Sequence, residues 1–178
     1  MEPEFNPFET RRSRDIRNRM GSTMIESIGR GDLEPVRLAL SALDIRKEEP
    51  KAAAYVGARC KRYERVLGKI QSQNILPNDV YRIAGLLWNE DLFFECHEWL
   101  EQNWQRVHGL EKEILQALIR SAGAFELLTY GKIKGAVQTA SKALPVLTRN
   151  LEHIPRGLDI LPQMDKLKRL LKNNPPQN

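Results

Sequence analysis

The 178-residue sequence predicts an all-α protein, an antiparallel helical bundle with an N-terminal helical appendage. Two observations predict this fold class. Apolar residues recur at three- and four-residue spacing along most of the chain, which is the period of an amphipathic helix. Sustained period-two alternation and Asn-Gly or Asp-Gly hairpin turns, which indicate strands, do not occur in the sequence.

The first 75 residues predict a basic helical extension. Three helices are expected there, at about residues 12–28, 32–43 and 50–73. The first is expected to stop at Gly29-Arg30-Gly31. Asp32 can cap the second helix, and Pro50 can open the third, because proline is tolerated in the first turn of a helix.

Residues 76–172 predict the bundle itself, and residues 173–178 a disordered tail. Five helices are expected in the bundle, at about residues 78–88, 92–107, 110–130, 133–151 and 159–172. Pro145 is expected to kink or shorten the fourth of these helices. The connections between them are short, as is typical of antiparallel neighbours in a bundle.

The second helix of the bundle carries the most informative segment, residues 93–104. At 100° per residue, one face of this helix contains Phe93, Phe94, His97, Leu100, Glu101 and Trp104, with Glu98 at its margin. This face is apolar enough to be buried against an adjoining helix. Its titratable groups are then expected to be hydrogen-bonded, paired or bound to a ligand.

The same segment resembles a known family. The matching pattern consists of Phe94, His97, Glu98, Glu101 and Trp104, then Gly109, Leu115-Gln116, Ala122, Ala124, Gly131, Gly135-Ala136, Gly157 and Asp159. Over about residues 78–162 it is similar to the family called domain of unknown function 309. The resemblance implies an all-helical bundle and assigns no activity.

The chain departs from that family at three positions. Ala117 and Arg120 stand where members often have Gly and Gln. Glu126 stands where many members carry a His. If that His is a metal ligand in the relatives, Glu126 can still bind a metal, with a preference for harder ions. If it is a general base, Glu126 has to act in its place.

Three interpretations of the His/Glu cluster remain open, and whether the protein is an enzyme is open with them. In the first, a small ligand or a divalent metal ion is bound by His97, Glu98, Glu101 and Glu126. In the second, His97 and the carboxylates perform acid–base chemistry. In the third, the polar residues only fix the register of two helices. The supporting residues are Phe94, Trp104, Gln116 and Arg120, and Arg120 is expected to pair with Glu98 or Glu101.

An alternative function uses the basic N-terminal helices. Five arginines stand within nine residues: Arg11, Arg12, Arg14, Arg17 and Arg19. They predict either a solvated face or a surface for nucleic acid or an acidic protein. In this interpretation the protein is a non-enzymatic interaction module, and the His/Glu cluster is structural.

The composition and the hydropathy of the sequence predict where in the cell the protein resides. Hydrophobic residues make up 41% and charged residues 29% of the chain. No apolar run approaches the roughly 18–20 residues that span a bilayer, and the N-terminus lacks the pattern of a signal peptide. We therefore expect a cytoplasmic protein without a membrane partner. Cys60 and Cys96 are expected to be buried thiols rather than a disulfide.

Overall fold

A computed structural model describes residues 5–43, 49–155 and 157–175. Over these residues it contains eight α-helices, one short 3-10 turn and no strand, which confirms the predicted fold class. The chain divides into two compact units, Met1–Pro77 and Asn78–Asn178. Within the described residues, no helix combines the length and apolar character needed to cross a membrane.

The N-terminal unit contains α1 (Arg11–Arg30), α2 (Glu34–Leu43) and α3 (Pro50–Ser72). The Thr10 hydroxyl caps α1 by accepting a hydrogen bond from the Ser13 backbone N–H, and Gly31 ends the helix with a φ of 74°. The backbone N–H of Glu34 donates to Asp32 at 2.9 Å, as the sequence predicts for the start of α2. Polar capping therefore sets the boundaries of the first two helices.

Apolar faces join these three helices. α1 packs against both α2 and α3. The fully buried side chains of this unit include Met20, Met24 and Ile28 of α1, and Tyr63 and Leu67 of α3. Burial of this apolar surface stabilises the unit.

The C-terminal unit is a series of antiparallel neighbours. It contains α4 (Val80–Asn89), α5 (Phe93–Trp104), α6 (Gly109–Thr129), α7 (Ile133–Arg149), a 3-10 turn (Leu151–His153) and α8 (Leu161–Asn173). Each helix packs against the next along the chain. Because α6 packs against both α5 and α7, nearly half of its residues are buried.

An aromatic cluster holds the middle of this unit together. The rings of Trp88 and Phe125 meet edge to face with centroids 5.4 Å apart, and Phe93 stacks on Phe125 at 5.3 Å. The Trp99 indole N–H donates to the Val80 carbonyl at 3.0 Å and so fixes α5 on the start of α4. Aromatic pairs of this kind add about 0.5–1.5 kcal/mol each beyond their buried area.

Three details of the chain differ from the sequence prediction. α5 ends at Trp104, three residues earlier than expected, and α6 begins at Gly109, one residue earlier than expected. α7 includes Pro145 and ends at Arg149, two residues earlier than expected. Because Pro145 is exposed, water can hydrate the carbonyl that the proline leaves unpaired. Asn173 belongs to α8, and the last three residues of the predicted tail lie outside the described residues.

Gly157 allows the segment before α8 to lie on α4. An added Cβ there would be 2.8 Å from Arg82 Cγ and 3.0 Å from the Arg82 backbone nitrogen. We expect Gly157→Ala to lower the free energy of unfolding by about 1–3 kcal/mol, because the backbone of α4 cannot yield freely. Urea denaturation of the full-length protein measures this loss.

Gly68→Ala is the control for that substitution. An added Cβ at Gly68, inside α3, has no neighbouring atom within 4 Å. Replacing a helical glycine by alanine there should stabilise the protein by about 0.5–1 kcal/mol. An unchanged or increased stability of Gly157→Ala would contradict the close packing against Arg82.

Candidate functional site

The buried face of α5 differs from the predicted one. The side chains that α5 buries are Phe93, Glu95, Cys96, Trp99 and Leu100. Phe94, His97 and Trp104 are only half-buried, and Glu101 is exposed. The buried face is thus turned from the predicted face by roughly one residue, or 100°. The physical reason is that α5 packs on α4 as well as α6, so the motif residues lie at the edge of its contact with α6.

His97 lies directly on the backbone of α6. Its Nδ1 is 3.2 Å from the carbonyl oxygen of Ile119. A Cβ added at Gly123 would lie 3.6 Å from the same nitrogen. Because a carbonyl only accepts hydrogen bonds, Nδ1 carries a proton and donates it to Ile119. The ring is therefore fixed with its other nitrogen, Nε2, directed away from α6.

Two carboxylates accompany that nitrogen. Glu101 Oε2 is 3.4 Å from His97 Nε2. One ligand atom from each of His97, Glu98 and Glu101 lies within 4.8 Å of the other two. The side chain of His97 is 31% exposed and that of Glu101 is 55% exposed. The cluster is therefore half-exposed at the edge of the α5–α6 contact, which corrects the predicted buried position.

The aromatic residues flank this cluster. Phe94 is half-buried one turn before His97. The Lys112 ammonium lies 4.2 Å from the centre of the Trp104 ring, a cation–π contact that joins the end of α5 to the start of α6. Trp104 Nε1 is shielded from solvent and has no hydrogen-bond acceptor within the described ranges.

Gln116 and Arg120 lie half-buried on α6, and among the described residues Arg120 makes neither predicted ion pair, with Glu98 or with Glu101. Of the side chains described, it is His97 that lies at ion-pair distance from Glu101. The reason is angular. Arg120 is turned 60° around α6 from Gly123, the residue beside His97, in the same direction as Leu127, which contacts α7.

Glu126 is buried in α6, with only 5% of its surface exposed. The structure does not bring its carboxylate into the group formed by His97, Glu98 and Glu101. It follows Phe125, which stacks on Phe93 at the opening turn of α5. The level of Glu126 is thus about one helical turn away from His97.

Sequence reasoning missed several buried polar groups. Glu95 is fully buried, and the backbone carbonyl of Ile119 is the partner of His97. Burial raises the pKa of the Cys96 thiol, and the carboxylate of Glu95 raises that pKa further. Glu95 is adjacent to Cys96 in sequence, so assigning the buried side of α5 correctly would have predicted that Glu95 is buried. A backbone carbonyl as hydrogen-bond partner cannot be predicted from the types of the side chains.

A polar pair near the start of α4 lies outside the predicted residues. The Tyr81 hydroxyl donates a hydrogen bond of 3.2 Å to Glu111 Oε1 on α6. Burial raises the pKa of Tyr81, and the carboxylate of Glu111 raises it further. The phenol therefore keeps its proton at neutral pH and serves as a donor.

The basic residues of α1 have unequal environments. Arg11, Arg12, Arg14 and Arg19 are exposed, whereas Arg17 is half-buried. Arg17 lies over the Phe8 ring at 5.4 Å and donates to the Asn18 side chain at 2.9 Å. The first turn of α1 contains no acidic residue. Four of the five arginines are therefore exposed, and one of these four, Arg11, lies 3.9 Å from the Asp15 carboxylate.

Comparison with known proteins identifies the site-bearing segment. Residues 81–139 match the family model described as Domain of unknown function (DUF309). This match confirms the resemblance inferred from the motif, over a shorter stretch. The DUF309 segment runs from α4 into α7 and contains all the candidate ligands. No curated protein and no solved structure gives a significant match.

The exposure of Glu101 predicts a small structural contribution. We expect Glu101→Gln to change the free energy of unfolding by less than about 1 kcal/mol, because an exposed ion pair contributes little. His97→Ala should cost about 1 kcal/mol, because it removes the hydrogen bond of His97 to the Ile119 carbonyl, which keeps its donor within α6. Urea denaturation compares the two variants. A loss above about 2 kcal/mol for Glu101→Gln would instead indicate a structural network.

Proposed function

We propose that the DUF309 segment binds one divalent transition-metal ion through His97, Glu98 and Glu101. In this proposal residues 76–172 form the functional domain and residues 1–75 an extension of it. The observation that carries the proposal is the clustering of one nitrogen and two carboxylates within 4.8 Å, next to a histidine whose ring is fixed.

The hydrogen bond of His97 supports metal binding. Histidines that bind metals typically donate their second ring N–H to a carbonyl or carboxylate, which fixes the tautomer and the orientation of the ring. Nδ1 of His97 donates to Ile119 in this way. Nε2 then faces the Glu101 carboxylate at 3.4 Å. A metal ion placed between these two atoms would be bound by a lone pair of each.

The donor set suits a first-row metal ion. One imidazole and two carboxylates are ligands of Zn²⁺, Mn²⁺, Fe²⁺ and Co²⁺. Three protein ligands leave at least one coordination position for water or a further ligand. The partial exposure of the cluster gives such a ligand access. A purely structural network would gain more from burial, because exposed ion pairs stabilise a fold weakly.

Calorimetric titration of the metal-free full-length protein with Zn²⁺ and Mn²⁺ tests the proposal. We expect one ion to bind per chain. Glu98→Gln and Glu101→Gln should each weaken binding by roughly 10- to 100-fold, because loss of a ligand costs at least as much as loss of an outer-shell partner. His97→Ala should abolish stoichiometric binding.

His108→Ala is the matched control. His108 is an exposed histidine of the same unit and is not part of the cluster. Its substitution should leave metal binding unchanged. The proposal is wrong if the wild-type protein binds no stoichiometric metal, or if the His108 variant loses as much affinity as the His97 variant.

For the N-terminal unit we propose a second, weaker function, which is sequence-independent binding of nucleic-acid phosphates by α1. The support is the exposure of four arginines on this helix and the absence of acidic residues from its first turn. Exposed arginines that contact phosphates bind by releasing counterions, so the affinity falls with salt.

The free thiols Cys60 and Cys96 support the reducing cytoplasm as the proposed location.

Charge reversal of α1 tests this second function. We expect the triple variant Arg12→Glu, Arg14→Glu, Arg19→Glu to lose binding to a fluorescent single-stranded oligonucleotide, measured by anisotropy. The wild-type affinity should fall with salt with a slope of roughly −0.7 per phosphate contact. The control carries the same charge change on α8, at Lys166, Lys168 and Lys172. Equal losses in both variants would show that only net charge matters.

A further inference from the structure

The charged residues of α5 and α7 are segregated by sign. Two glutamates, Glu98 and Glu101, lie on the partly exposed side of α5, which has no lysine or arginine, whereas α7 carries two lysines, one arginine and no acidic residue. α6 packs against both helices. An acidic ridge and a basic ridge that flank one helix favour the binding of a cation and an anion side by side.

A half-exposed stripe of α6 forms the floor between these ridges. The α6 floor consists of the half-exposed residues that share one face of the helix: Lys112, Gln116, Arg120, Gly123 and Leu127. Lys112 and Gly123 contact α5, through Trp104 and His97. Leu127 contacts α7, where a Cβ added at Gly135 would lie 3.3 Å from it. The floor is therefore accessible along a groove bordered by α5 and α7.

Arg120 and Lys142 lie at the same level of this groove. Two contacts fix the register of α6 against α7. Leu127 lies beside Gly135, and Glu113 Oε2 lies 3.9 Å from Arg149 Nη2. Counting seven residues inward from either contact reaches Arg120 on α6 and Lys142 on α7. The two cations are thus neighbours, and no ion pair between described residues engages Arg120.

Arg120 is within reach of the His97 cluster. Gly123 marks the position of His97 on the floor, because its added Cβ would be 3.6 Å from Nδ1. The Cβ atom of a residue three positions earlier on a helix lies about 5–6 Å from that point. The arginine side chain spans a similar length. Its guanidinium can therefore approach an anion held at the exposed side of the cluster.

We propose that this groove binds a phosphate-bearing small molecule, whose phosphate bridges the metal ion and the side chains of Arg120 and Lys142. This inference rests on the metal-binding function proposed above. The charges balance. The two carboxylates neutralise a divalent ion, and the two cations then match a phosphate group, which carries about −1.5 to −2 charges at neutral pH. A guanidinium also offers the paired N–H donors that phosphate oxygens accept.

Binding of inorganic phosphate to the full-length protein tests the inference. Calorimetry measures the phosphate affinity of the Mn²⁺-loaded protein, and ³¹P relaxation shows whether the phosphate reaches the Mn²⁺ ion. We expect the metal-free protein to bind phosphate much more weakly, because Glu98 and Glu101 then repel it. Arg120→Gln should weaken phosphate binding by roughly tenfold or more, and Lys142→Gln by a smaller factor, because the guanidinium makes the paired contact.

Arg149→Gln is the control, since it removes a cation of α7 that lies two helical turns from Lys142. It should bind phosphate as the wild type does, and all three variants should keep the wild-type Mn²⁺ affinity within about twofold. If Mn²⁺ binds but Arg120→Gln keeps the wild-type phosphate affinity, the inference is wrong and the metal site stands. If the wild type binds no Mn²⁺, the metal site and this inference both fall.

Discussion

The contact of α5 with the backbone of α6 is the constraint on which the rest of the site depends. The His97 ring reaches the Ile119 carbonyl at 3.2 Å, and this distance requires the two helices to lie close together. α6 allows this because many of its buried residues are small, among them Ala117, Ser121, Ala122 and Ala124. Small side chains let a helix that is covered on two sides pack without voids. The orientation of His97 is thus set by the packing of α6.

The residues of α5 that hold the helix on its neighbours and the residues of the His97 cluster lie on different sides of the helix. The aromatic contacts of Phe93 and the hydrogen bond of Trp99 hold the helix on its neighbours from the buried side. The His97, Glu98 and Glu101 cluster lies on the opposite, partly exposed side. Because exposed ion pairs contribute little to folding, stability does not explain the pairing of Glu101 with His97. This separation of the stabilising contacts from the His97, Glu98 and Glu101 cluster favours a binding role for the cluster.

The sequence predicted the positions of the helices better than it predicted which side of α5 is buried. Helical spacing, together with Asp32, Gly31 and Pro50, correctly located α1, α2 and α3, because caps and prolines act locally. The motif likewise located the His97 cluster. Its burial was wrong because a helix that packs on two neighbours has two buried sides, and periodicity alone does not choose between them. The partner of His97 was not predictable, since every residue has a backbone carbonyl.

Net charge is a poor guide to this site, because the charges are arranged by helix. Residues 76–155 carry 8 basic and 10 acidic side chains, which suggests no charged partner. In the proposed groove, Glu98 and Glu101 of α5 nevertheless lie on one side and Lys142 of α7 on the other. A region of negative potential and a region of positive potential then lie close together, although the net charge of residues 76–155 is small. A ligand of mixed charge, a metal ion with an attached phosphate, fits this arrangement better than a ligand of one sign, because either single charge would be repelled by one of the two ridges.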